Sequence, residues 1–301
     1  MLLGILLYVV LGIVKQAVDP DPLELQTNDT PENVAPPAIN TRTDLELALK
    51  NRGLNIQQLI DRSVVWYEQQ GFLGELKLYG ISEADSLSAA YEGAPAAELI
   101  ARAGAGDVAA AQALADNAML ASNADPLEAI DWYRQAAGYG SVYAMFRISE
   151  LFRIFANKEL DAFNSDPVYA AKLATLREQN PLIERDSLAW AITAVLAGGL
   201  PVASNSAVAN IKQMAAEAGE TGTARACEKA MRLLLDLAAE RRSLGRLVFA
   251  TEPPALFVSV PTLDSAIPCG DYVEPVTDTS ACKLLAVPGL VNPNQNLWLC
   301  E

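Results

Sequence analysis

Two stretches of this chain, Ala103-Gly104-Ala105-Gly106-Asp107-Val108 and Ala137-Gly138-Tyr139-Gly140-Ser141-Val142, repeat one layout 34 residues apart. Small residues close a helix, glycine reverses the chain, and a polar residue opens the next apolar run. Asp125-Pro126-x-x-Ala129 returns as Asp166-Pro167-x-x-Ala170, and Ala215-Ala216-Glu217-Ala218-Gly219 closes a further helix. Helix-ending positions are therefore expected near 104, 138, 179 and 219, spaced by 34 to 41 residues. A period of that size predicts stacked helix pairs: an all-α fold, an α-solenoid of antiparallel pairs.

The best-formed unit is "DPLEAIDWYRQAAGYGSVYAMFRISELF". Asp125 is placed to cap a helix, with Pro126 in its first turn, where a missing N–H costs nothing. Leu127, Ile130 and Tyr133 share a buried side, and Ala136 and Ala137 are small because a neighbouring helix crosses there. The next helix buries Ala144, Ile148, Leu151, Phe152 and Phe155. Trp132 and Tyr133 read as packing residues between helices. Tyr143, Arg147 and Glu150 fall off the stripe of Ala144, Ile148 and Phe152, which makes them the candidate partner-binding residues of a groove.

The unit resembles the Sel-one-like repeat, a relative of the tetratricopeptide repeat. Ala129, Trp132, Tyr133, Ala136, Ala137, Gly140, Ala144, Ile148 and Phe152 fill its characteristic places. The likeness covers residues 82–242 and weakens outside this unit to alanine and glycine spacing. It implies a helical array that serves as an adaptor in protein complexes.

Four segments are expected. Residues 1–18 form a membrane anchor or signal segment, because residues 2–14 are an unbroken apolar run. That run is short beside the ~20 residues of a spanning helix, no base precedes it and no A-x-A site follows. Lys15 on the outer flank runs against the positive-inside tendency. Residues 19–42 read as a flexible linker, proline-rich and polar. Residues 43–245 are the helical repeat domain, opened by the capping box Thr43-Asp44-Leu45-Glu46, with a second helix over 55–70 that buries Ile56, Leu59, Ile60, Val64 and Tyr67. Residues 246–301 are an extended, irregular, proline-rich tail carrying three of the four cysteines.

Chemistry is narrowed by what the chain lacks. With no histidine, it has no Ser-His-Asp or Cys-His nucleophile and no His-ligated zinc. No C-x-x-C, dinucleotide-binding or phosphate-loop motif occurs, so no metal or cofactor is expected. A net charge of −15 excludes nucleic acid as a natural partner. Three readings remain. The first is a non-catalytic scaffold that binds a protein or peptide partner and sits at the bacterial inner membrane, facing the periplasm. The others are a carboxylate-dependent cell-wall hydrolase, for which no acid pair stands out by spacing, and a purely structural envelope protein. Export would favour disulfides. Cys269 and Cys282 enclose a loop of about 14 residues that a bridge would stabilise by roughly 3 kcal/mol. Cys300 could then pin the terminus to Cys227.

Overall fold

In a computed structural model of the chain, the structure describes residues 50, 56–73, 86–120, 124–157, 167–246, 249, 252–259, 267–270, 276–285 and 296–300. The expected anchor or signal segment, the linker and the capping box at 43–46 lie outside the described residues. Eight α-helices run through the remainder: α1 Ile56–Gln69, α2 Ala96–Gly104, α3 Val108–Leu120, α4 Pro126–Gly138, α5 Val142–Ala156, α6 Pro167–Gln179, α7 Ile183–Gly198 and α8 Asn205–Ser243. Short 3-10 turns cover Leu87–Tyr91 and Leu200–Val202. No described helix is long and apolar enough to cross a membrane.

The repeated sequence layout becomes a repeated turn. After α2, Gly106 N–H donates to Ala103 O at 2.8 Å and Asp107 N–H to Arg102 O at 3.0 Å. After α4, Gly140 N–H donates to Ala137 O at 2.8 Å and Ser141 N–H to Ala136 O at 2.9 Å. Each turn thus satisfies carbonyls that a helix end leaves orphaned. The residue after each glycine then caps the next helix, Asp107 accepting from Ala110 N–H and Ser141 from Ala144 N–H. Asp125 caps α4 by accepting from the N–H groups of Leu127 and Glu128, as its place before Pro126 predicts.

The helices end at Gly104, Gly138 and Gln179, and α8 breaks at Gly219, where φ is 67° and ψ is 178°. That backbone conformation is open almost only to glycine. Between these punctuation points the core is dense. Residues 109–115 of α3 and 186–198 of α7 are buried without interruption, so neither helix shows a strong one-sided pattern. α7 packs against both α5 and α8. α5 buries not only Ala144, Ile148, Leu151, Phe152 and Phe155 but also Val142, Tyr143, Met145 and Ser149.

α1 closes over the start of α5. Tyr143 N–H donates to Gln70 O at 3.1 Å, and Gln112 on α3 donates to Gly71 O at 3.1 Å and to Ser141 Oγ at 2.9 Å. Trp66, Tyr67, Phe72 and Tyr143 follow one another edge to face, with centroids 5.2, 6.4 and 5.7 Å apart. Such pairs add to the area they bury.

The tail is more ordered than its prolines suggest, which corrects the expectation of an irregular segment, while the rest of the described chain is mostly helical as expected. Leu256–Ser259 (β1), Lys283–Leu285 (β2) and Asn296–Leu299 (β3) form an antiparallel sheet in the order β1-β3-β2. β1 docks on α1, with Leu256 N–H donating to Ser63 Oγ at 2.7 Å. Val276 N–H donates to Leu196 O at 2.9 Å, holding the tail to the end of α7.

All four cysteines are bridged, but not in the expected pairs. Cys282 joins Cys300, and Cys227 joins Cys269. The register that pairs Lys283 with Leu299 brings residues 282 and 300 opposite one another, with Cα atoms 4.2 Å apart. Loop length alone favours Cys269–Cys282, but strand pairing decides the partner. Disulfides of this kind belong to chains matured in an oxidising compartment.

Candidate functional site

The three sequence candidates on α5 do meet in one polar cluster, although it is mostly internal. Tyr143 is only 3% exposed, against Phe72. The expectation that it projects off the core is corrected. The surface left bare by α5's own spacing is covered by residues 70–72, which the chain supplies from far away in sequence. Arg147 is part-buried and pairs with Glu150, their side chains being 27% and 46% exposed. Of the three, Glu150 alone presents a largely open carboxylate.

The cluster spans four elements. Asp116 on α3 accepts from the Tyr133 hydroxyl on α4, and from Ser88 Oγ at 2.6 Å in the first 3-10 turn. Arg147 Nε donates to the Tyr133 hydroxyl at 3.5 Å, and Ser86 hydrogen-bonds Tyr143. Burial pushes both phenols above their ordinary range, against the lowering pull of Arg147. Burial alone would lower the Arg147 guanidinium, but Glu150 and the two phenols hold it up, so it stays charged. Every charged member has a partner within the cluster. Its chemistry is to lock the 3-10 turn, α3, α4 and α5 together, and Asp116 and Ser88 carry no sequence signal that would have singled them out.

Trp132, read as a packing residue, is partly buried against the core and donates from Nε1 to Glu128 at 3.2 Å. Tyr133 is fully buried.

Surface concavities lie elsewhere. An open trough of about 730 Å³ follows the break in α8, between Ala215 and Met231 on the helix and Pro268 and Cys269 of the tail. A smaller one of about 400 Å³ lies between α1 and the tail, where Trp66 Nε1 donates to Glu252 O at 2.9 Å beside Pro253 and Pro254. Among the described residues no group of three Cys, Asp or Glu side chains converges as a metal site would require.

Comparison with known proteins gives no family model, curated protein or solved structure that matches this chain.

Proposed function

We propose that the chain is a non-catalytic, Sel-one-like helical array that binds a protein or peptide partner in the periplasm, held at the inner membrane by its N-terminal segment. The observation that carries this reading is the pair of turns at 103–107 and 137–141, which share the same hydrogen bonds at a 34-residue offset. A helix–turn–helix unit copied at that interval is how repeat arrays are built, and such arrays work as binding surfaces without intrinsic chemistry. The two disulfides support an oxidising location. No pair of acids stands out by spacing in the sequence, which favours a binder over a carboxylate-dependent hydrolase.

Site-specific photocrosslinking in cells tests this. A benzoylphenylalanine would be placed in turn at Asp131, Arg134, Glu150 and Glu220, all exposed. A binding array gives a discrete adduct with a periplasmic or membrane protein from at least one face. Absence of adducts at all four positions, in a protein that remains folded and oxidised, refutes the adaptor reading and leaves a structural envelope role.

A further inference from the structure

The trough along the broken helix α8 has the shape and charge of a receptor, and we propose that it binds a basic amphipathic helical segment of a partner protein. This rests on the reading of the chain as a peptide-binding array, and it names the site and the chemistry of what fills it.

The floor is apolar and low because its side chains are small. Ala215 and Ala216 precede the break at Gly219, and Ala224 and Met231 follow it. Alanines leave a depression that a larger apolar side chain can fill, and methionine adapts its shape to what lies against it. On the second half of α8, positions 220, 224, 227, 228 and 231 recur at helical spacing, so one continuous face looks into the trough. The opposite wall is Pro268 and Cys269, fixed to that same helix by the Cys227–Cys269 bridge. A covalently set wall needs little ordering when a ligand arrives, which lowers the cost of binding.

Charge selects the occupant. Among the described residues, the charged side chains lining the trough are Glu220 and Glu228, both exposed, and no basic side chain lines it. Of the cations on this part of α8, Lys229 is held by Asp186 at 2.6 Å, while Arg225 and Arg232 are exposed but do not line the trough. Eight residues of helix separate the two carboxylates by about 12 Å. A complementary helix therefore carries two bases about two turns apart, with one or two Leu-sized side chains between them to enter the floor. An acidic helix meets two like charges there and is rejected.

The probe is a synthetic helical peptide of leucine and lysine with lysines at i and i+7, and its counterpart with glutamate in place of lysine. Binding to the purified, oxidised, full-length protein is followed by fluorescence anisotropy near physiological salt. The lysine peptide should bind and the glutamate peptide should not. Joint Glu220→Lys and Glu228→Lys replacement should weaken the lysine peptide by about 10-fold or more and admit the glutamate peptide. Reversing Glu178 and Glu184, exposed acids outside the trough, should change neither. Ala224→Trp, which fills the floor, should abolish binding; should that variant fold poorly, the charge swap still decides. The proposal is overturned if no binding occurs, if the remote reversal weakens binding as much, or if the swap leaves the preference unchanged. It is also overturned if sedimentation shows a dimer that Ala224→Trp dissolves, since a second copy is then the occupant. Adducts from Asp131, Arg134 or Glu150 would sustain the array reading even when this site fails.

Discussion

Three phenols, Tyr67, Tyr133 and Tyr143, are buried in a chain whose fold depends on where their rings sit. Tyr67 donates to Pro201 O at 3.2 Å, Tyr133 to Asp116, and Tyr143 pairs with Ser86. Burial raises all three above the ordinary value of 10.0, because a phenolate would have to lose its water. The sign follows from linkage: above about pH 10 the unfolded chain releases these protons and the folded one keeps them. Stability is therefore complete below that pH and falls as the pH rises through it. Urea unfolding at about pH 9 and about pH 11 should show a lower midpoint at the higher value, with tyrosinate absorbance appearing together with unfolding. An unchanged midpoint with early phenol ionisation would mean that the rings are accessible. Of the three, Tyr67 and Tyr133 were legible, each lying on the apolar stripe of its own helix. Tyr143 was not, because its cover comes from the end of α1, and helical spacing within α5 carries no information about that.

At the scale of elements, helix ends were the most legible feature, since they depend on local chemistry. Gly106 and Gly140, with Asp107 and Ser141 after them, encode turn and cap within a few residues. Pairing between elements was less so. α7 meets α8 through Asp186, a buried carboxylate that pairs with Lys229, 43 residues further on, at 2.6 Å and with its neighbour Arg185 at 3.8 Å. Nothing in the sequence marks that pair among the many acids and bases. Replacing Lys229 by methionine keeps its stem but leaves the carboxylate only the longer contact with Arg185, and should cost about 3 kcal/mol in a denaturant titration. Joint Asp186→Asn replacement should restore much of that loss. If the single variant is as stable as the parent, Asp186 is solvated and α7 is not sealed there. The tail shows the same division. Its strands are short and apolar enough to be suspected, but their order and register, and with them the disulfide pairs, depend on contacts that sequence spacing does not reveal.

For the whole molecule, the informative contacts join the end of α8 and the residues just after it to the two repeated turns. Arg241 donates to Tyr139 O, and a side chain at Gly140 would overlap its guanidinium. Arg246 donates to Gly106 O at 2.7 Å and stacks over the Tyr139 ring, 4.5 Å from its centroid. A linear array joins only neighbours, so it can melt from either end in steps. Here the last helix is fastened to the first turns, across 102 and 140 residues of chain. Fraying at one end then has to break the other, and the described helical body should unfold as a single cooperative unit. Calorimetry tests this: the parent should give one transition, and joint Arg241→Ala and Arg246→Ala replacement should split or broaden it. Two transitions in the parent would show that the clasp does not couple the ends. A single transition would mean that two arginines late in the chain make the described helices stand or fall together, so that a helix pair could be neither removed nor added without loosening the clasp.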